Sequence, residues 1–342
     1  MRRTVTFLVA ILVSLAASAQ QFPDLVEQAN KSVVTVYVLE QKNPGYGDPF
    51  TKTSNEGLGS GVLVGEAGEW ILTAAHVVAN ASEIVVEFYD GRKVSAKTKR
   101  VSHTADVALI QLDRPVSDIP PAVIGNSDNV RIGEDIFIIG APLGLAHSVS
   151  RGIISGRHSE KKITSDLKSM EFFQTDAAIN QGNSGGPMFN MKGEVVGVVS
   201  SILSFSGGFE GLGFAATSNI AKDMLLQRGS IWLGIDALPL NFELCKVFNV
   251  PQEGALLVQS VAEKSAGHFM GMKGGYLLMS LGDYEFLVGG DIILSLDDIV
   301  LDGQAKFEEL RTYLNSVEER HQYVVKVLRA GEIIELKWRM ED

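Results

Sequence analysis

Between Ser32 and about Thr217 the apolar positions come in short β-branched runs, broken by Gly, Pro, Asn and Asp. Val33-Val34-Thr35-Val36-Tyr37-Val38 is one such run and Ser60-Gly61-Val62-Leu63-Val64 another. Glu69 to Thr73, Ile84 to Tyr89, Val107 to Leu112, Ile136 to Ile139 and Val195 to Ser201 continue the series. Asp90-Gly91 and Pro142-Leu143-Gly144 are turn signals between them. Many short strands at regular spacing predict a mainly β barrel or sandwich rather than alternating strands and helices. No internal repeat stands out.

Near Asn219 the pattern changes. Ile220 to Gln227 reads as a short helix stopped at Arg228-Gly229, with Gly as its C-cap. Ala255 to Val258 and Ile292 to Leu296 then read as strands. Phe307, Leu310, Leu314 and Val317 fall at helical spacing between Gln304 and Glu318. Two strand-like runs follow, Tyr323 to Leu328 and Ile333 to Trp338. A smaller α+β unit over residues 228–342 is therefore expected after a β unit over 20–227. A chain of 342 residues has the length of two domains.

The first residues follow another pattern. Arg2 and Arg3 precede an uncharged apolar run from Val5 to Leu15, and Ala17-Ser18-Ala19 supplies small residues for cleavage. This is the layout of a secretory signal over residues 1–19, with a run shorter than the ~20 residues of a spanning helix. Export, to the periplasm, is expected; the alternative is an uncleaved anchor that keeps the chain on the membrane. Lys+Arg 30 against Asp+Glu 41 leaves a formal charge of -11, which argues against nucleic acid as a partner. Cys245 is the single cysteine, so no intramolecular disulfide forms. Its apolar surroundings, Phe242 to Phe248, mark a buried small hydrophobe.

Three local patterns carry chemistry. Leu72-Thr73-Ala74-Ala75-His76 places a histidine just after a strand, and Ala105-Asp106-Val107-Ala108-Leu109-Ile110 places an aspartate at the head of one. The third is Gln181-Gly182-Asn183-Ser184-Gly185-Gly186-Pro187. A serine hydroxyl attacks well only when a base within hydrogen-bond reach takes its proton, and imidazole titrates near working pH. A carboxylate holds the imidazole in the right tautomer. Ser184 is thus the expected nucleophile, His76 its base and Asp106 the orienting acid, with the Gly182 and Ser184 N–H groups as oxyanion donors. The Gly-x-Ser-x-Gly around Ser184 also fits an α/β-hydrolase elbow, but Pro187 and a β-rich run follow it instead of a helix. The order His, Asp, Ser is that of the chymotrypsin-like double barrel. His103 is the rival base close to Asp106, and it lacks the Thr-Ala-Ala-His context. Gly57-Leu58-Gly59-Ser60-Gly61 is followed by a strand, which disfavours a phosphate loop. No H-E-x-x-H or C-x-x-C points to a metal, and no cofactor is expected.

With these residues in place, the chain closely resembles the HtrA/Deg family of trypsin-fold serine proteases. The most specific pieces are Gly57 to Val62, the His76 and Asp106 segments, and Thr175 to Pro187. Gly211-Leu212-Gly213-Phe214-Ala215 with Ser218-Asn219 resembles the family's loop and exit strand beside the specificity pocket. The resemblance implies a PDZ domain in the second unit. Trp232-Leu233-Gly234-Ile235 is similar to its carboxylate-binding loop and Phe307 to Val317 to the helix lining its peptide groove. Such a groove takes an extended C-terminus by strand addition. The resemblance also implies a homotrimer or higher oligomer, with Phe22 and Tyr37 as possible contributors.

Two departures stand out. Thr-Ala-Ala-His replaces the family's Thr-Asn-Asn-His or Thr-Asn-Ala-His, which leaves the triad intact. Tyr276 to Val288 interrupts what a compact PDZ domain runs through, and Leu281-Gly282-Asp283-Tyr284 suggests an inserted hairpin that adds to core packing. Ala177, Ala178 and Ile179 line the stretch before Ser184, and Glu210 is the acidic residue of the later loop. Cleavage after Val, Ala or Ile is therefore expected. The reading favoured is an exported endopeptidase that hydrolyses unfolded or misfolded proteins in quality control. Alternatives are a PDZ-gated regulatory protease with a dedicated target, or a non-catalytic chaperone or peptide-binding scaffold.

Overall fold

The computed structural model of the chain describes residues 22–42, 53–102, 105–160, 170–202, 211–222, 233–281, 284–314 and 321–339. The signal segment, most of the 40–56 loop, His103, Glu210, most of the helix expected over Ile220 to Gln227, the expected unit boundary and Trp232 lie outside these residues.

Most positions of the apolar runs are buried, on both faces of β3 and β6, which is why they read as nearly continuous. Six strands close a first barrel: β1 (Val33–Lys42), β2 (Thr53–Val64), β3 (Trp70–Thr73), β4 (Ala81–Phe88), β5 (Lys93–Ser102) and β6 (Val107–Leu112). Side chains alternate along a strand, so Val34, Val36 and Val38 of β1 fill this barrel with Leu63, Ile71, Val86 and Ile110. Val33 and, on neighbouring strands, Val62, Leu72 and Leu109 turn the other way, onto Phe137, Ile139, Phe189 and Val198. That second cluster is the seam against the second barrel.

The second barrel comprises β7 (Asp135–Gly140), β8 (Ser148–Glu160), β9 (Met170–Thr175), β10 (Pro187–Asn190), β11 (Val195–Ile202) and β12 (Gly213–Thr217). Its order β7-β8-β9-β12-β11-β10 repeats the β1-β2-β3-β6-β5-β4 order of the first. The two barrels share a topology although no sequence repeat announces it. The double barrel expected from the His, Asp, Ser order is thus present. A helix over residues 22–30, α1, packs Phe22, Leu25 and Val26 on the seam. Phe22 lies edge-on to Phe137 and beneath Arg151.

The C-terminal sheet runs β13 (Ile235–Leu240), β14 (Ala255–Val261), β17 (Ile292–Leu296), β19 (Gln322–Arg329) and β20 (Glu332–Arg339), with β18 (Ile299–Val300) paired to β17. One helix of this unit spans Gln304–Leu314, and its Phe307 and Leu310 pack with Val258, Ile293, Tyr323 and Val325. Another, Phe242–Val247, starts at an Asn241 side chain that accepts from Leu244 N, and brings Cys245 (1% exposed) under the sheet's other face. Burial pushes the Cys245 thiol pKa up. The segment expected to be a hairpin pairs as β15 (Leu277–Leu281) and β16 (Tyr284–Val288). Phe286 and Val288 reach the core beside Cys245, Leu257 and Leu294. Gln259 of β14 anchors the hairpin: its side-chain amide donates to Leu287 O and accepts from Leu287 N.

Candidate active site

Each of the three chemical residues is presented by a local device. After β3, Ala74 is extended and leads into a single helical turn, Ala75–Val78. Ala75, Val77 and Val78 are buried, so His76 is left with its side chain 50% exposed at the barrel seam. Asp106, at the head of β6, has φ 51, a left-handed conformation that a short polar side chain tolerates. The Ser184 loop joins β9 to β10 and is flanked by Gly182 (φ 103) and Gly185 (φ 81). A Cβ on Gly185 would lie 2.2 Å from Thr73 Oγ1 and 2.3 Å from Ser60 O, which restricts that position to glycine.

The Asp106 carboxylate collects three donors. His76 Nδ1 lies 2.8 Å from Oδ2 and 3.0 Å from Oδ1, and the His76 backbone N–H donates to Oδ1 at 3.0 Å. A carboxylate only accepts, so Nδ1 carries the proton and Nε2 is left as the basic nitrogen. Ser200 Oγ donates to Oδ2 at 2.5 Å. Burial alone would raise the Asp106 pKa. The His76 side-chain hydrogen bond and charge, the Ser200 hydroxyl and the His76 N–H outweigh it and hold the carboxyl below its ordinary value.

Ser200 also touches Ser184, whose hydroxyl donates to Ser200 O at 3.5 Å. The chain of contacts therefore runs Ser184, Ser200, Asp106, His76. No hydrogen bond joins Ser184 Oγ to His76 Nε2, and such contacts commonly tighten only with substrate bound. Among the described residues, the N–H groups of Gly182 and Ser184 have no hydrogen-bond partner, which leaves two donors free beside the hydroxyl.

Sequence reasoning missed Ser200. The available signal was a serine within the apolar Val198-Val199-Ser200 run of β11, where it is 6% exposed. Ala177 and Ile179 are 0% and 3% exposed and belong to the second barrel's core, with Phe173, Met188 and Val199. Leu233, Gly234 and Ile235 are placed elsewhere, at the head of β13 in the C-terminal unit. There Gly234 has φ 73, and the Leu233 and Gly234 carbonyls accept from Gly267 N and Ala262 N. Among the described residues β13 pairs only with β14, which leaves its other edge without a strand. Among the described residues no three His, Cys, Asp or Glu side chains gather as metal ligands.

Residues 59–198 match the family model described as a trypsin-like peptidase domain. A protein of Halomonas elongata named "Probable periplasmic serine endoprotease DegP-like" is 33% identical over 94% of this chain and 72% of its own length. A Haemophilus influenzae protein named "Probable periplasmic serine protease do/HhoA-like" is 30% identical over 97% and 74%. A DegP-like relative from Pseudomonas fulva is 38% identical over 69% of this chain, which spans half (50%) of that protein's length. Among solved structures, the HtrA-type protease AlgW with a decapeptide aligns at a TM-score of 0.51, with 27% identity and 92% and 96% of the two chains covered. AlgW with a tripeptide aligns at 0.52, with 26% identity over 92% and 95%. The double barrel, the histidine, aspartate and serine converging at its seam, and these alignments along nearly the whole chain lead to one conclusion: this chain belongs to the HtrA/Deg family of trypsin-like serine endoproteases.

Proposed function

We propose that Ser184, His76 and Asp106 carry the reaction of this serine endopeptidase. The observation that supports the assignment best is Ser200, which contacts both Ser184 and the carboxylate that holds His76. Ser184 Oγ attacks the scissile carbonyl carbon while its proton passes to His76 Nε2. The carbonyl π electrons move to oxygen, which the Gly182 and Ser184 N–H groups receive. As the C–N bond breaks, His76 gives the proton to the leaving amine and an acyl-enzyme remains. Water then attacks with the same proton route, and Ser184 is released. Asp106 stays ionised throughout, consistent with its depressed pKa.

The substrates proposed are unfolded or misfolded exported proteins, cut after Val, Ala or Ile, in the periplasm. The periplasmic names of the relatives and the signal-like residues 1–19 support the location. The second unit acts as a PDZ domain over residues 228–342, with 276–288 inserted, and takes peptide C-termini along the open edge of β13. A homotrimer is the proposed assembly. Tyr37 is 38% exposed on the first barrel, while Phe22 is partly buried on the seam.

Casein digestion by the chain from Gln20 onward, beside a Ser184→Ala control, tests the central assignment. Loss of the nucleophile lowers turnover roughly a million-fold. Equal cleavage by both proteins overturns it. A second reading, a protease switched by its C-terminal unit, draws on two contacts just past the His76 helical turn. Ser260 Oγ donates to Asn80 Oδ1 at 2.9 Å, and Lys264 Nζ lies 3.4 Å from Glu83. Silence on casein, relieved by peptides with apolar C-termini, favours that reading.

A further inference from the structure

The Gly57-Leu58-Gly59-Ser60-Gly61 run has no part in the proton path, yet β2 meets the Ser184 loop there. A Cβ on Gly59 would come within 2.7 Å of Val77 and 3.1 Å of Ser184 O, so only glycine lets the strand pass this close. Ser60 follows at the crossing and is fully buried, 0% exposed. Every polar group it has is engaged. Its N–H donates to Ser184 O at 2.8 Å, and its carbonyl accepts from Thr73 Oγ1 at 2.7 Å. Its hydroxyl donates to Gly182 O at 2.7 Å and accepts from Ala141 N at 2.9 Å.

The Gly182 N–H lies in the peptide plane before Gly182, and the plane after it is linked to this one through the φ and ψ of Gly182. The plane before Gly182 is held at Gln181 O by Leu143 N, at 2.8 Å. The plane after it is held at Gly182 O by the Ser60 hydroxyl. The same hydroxyl ties down Ala141, the start of the segment that carries Leu143. Gly182 has φ 103 and no side chain to resist rotation. Without the hydroxyl, a buried carbonyl loses its donor and gains by turning away.

We propose that Ser60 is a positioning residue for the oxyanion hole: its hydroxyl fixes the Gly182 N–H in the orientation that receives the developing oxyanion. The proposal rests on the Gly182 and Ser184 donor assignment made above. Ser60 touches neither substrate nor the reacting atoms and acts through Gly182. Its effect therefore falls on the charged transition state and leaves ground-state binding unchanged.

Ser60→Ala is compared with wild type, Ser184→Ala and Ser32→Ala. Ser32 is 3% exposed, and its hydroxyl donates to Ala29 O, in the connection before β1. The readouts are kcat and KM on a short chromogenic peptide, inhibition by a peptide boronic acid, and folded fraction by near-ultraviolet circular dichroism. The boronate forms a tetrahedral anion on the nucleophile and needs the same N–H donors. In Ser60→Ala, kcat per folded molecule is expected to fall about 10- to 100-fold, less than the ~10²–10³ for outright loss of a donor. KM stays within about twofold, and boronate affinity falls by the same factor as kcat/KM. Ser32→Ala keeps its kcat.

Wild-type kcat in Ser60→Ala, with Ser184→Ala inactive, overturns the Ser60 proposal and leaves the nucleophile standing. Unchanged boronate affinity beside a lowered kcat also overturns it, as does an equal loss in Ser32→Ala. An active Ser184→Ala overturns the underlying assignment instead. Should Ser60→Ala not fold, Ser60→Cys, which fills the site with a weak donor, is read the same way.

Discussion

The molecule holds two aspartate–histidine pairs built on the same plan, one at the barrel seam and one in the C-terminal unit. Asp106 and Asp297 both have left-handed backbones, with φ 51 and φ 49. Each carboxylate accepts from a histidine ring, a hydroxyl and a backbone N–H. For Asp106 these are His76, Ser200 and His76 N. For Asp297 they are His321 at 2.8 Å, Tyr313 at 2.6 Å and Val324 N at 2.7 Å. The difference lies in what surrounds the ring. His76 gives Nδ1 to its partner, and its Nε2 has no hydrogen-bond partner among the described residues. His321 uses Nε2, which also meets Tyr313 at 3.1 Å, and its ring packs edge-on against Tyr323. Burial and then the nearby Asp297 push the Tyr323 pKa up to about 12. Tyr313 is raised well above its ordinary value, by burial first and then by its hydrogen bond to Asp297. Both phenols stay protonated, and Tyr313 serves as a fixed donor to Asp297. An aspartate–histidine pair can therefore serve as a structural clamp, and the catalytic role proposed for His76 and Asp106 rests on the serine and free N–H donors beside them.

The comparison breaks most readily at the two carboxylates. Asp106→Asn is expected to lower kcat about 10⁴-fold on a short peptide, because the imidazole is then held in the wrong tautomer. Asp297→Asn removes charge-assisted acceptors from Tyr313 and His321. It is expected to lower unfolding free energy by about 1–3 kcal/mol, read from urea unfolding, with peptide hydrolysis per folded molecule unchanged. Loss of hydrolysis in Asp297→Asn comparable to that in Asp106→Asn would dissolve the distinction.

Smaller effects sharpen it. Ser200→Ala removes one of the three donors to Asp106 while keeping the ring contact, so a kcat loss of roughly tenfold is expected. No loss would reduce Ser200 to a packing residue. Acid titration gives the finest test. The Asp106 pKa is lower folded than its ordinary 3.8, so its contribution to stability is complete above that value and is lost as pH falls through the folded one. Thermal midpoints of wild type are therefore expected to fall more steeply in acid than those of Asp106→Asn. Parallel curves would mean the carboxylate gains nothing from its partners on folding.

Much of this was legible in the chain itself. The β-branched runs appear as strands, and Ile292 to Leu296 and Tyr323 to Leu328 fall inside β17 and β19. The residue types at 76, 106 and 184 pointed to the chemistry proposed for them because each sits in a short, recognisable local context. Ser200 and Ser60 were not legible in this way. Their partners lie 94 and 122 residues away in the chain, and a lone serine in a strand has no local pattern that names them. His321 had no triad context in sequence, since Asp297 lies 24 residues before it in a tight turn.

Sequence alone determined that the first unit is strand-rich, where its most apolar strands lie, the acidic charge and the His, Asp, Ser order, because hydrophobic period, turn residues and local motifs act over a few residues. Tertiary structure decided the matched order of the two barrels, which faces of β1 and β2 enter which core, and which hydroxyls reach Asp106 and Gly182. The reason is that closing a barrel pairs strands far apart in the chain. Only once they are closed does a buried hydroxyl have a neighbour to satisfy, and that choice follows from geometry rather than from local sequence.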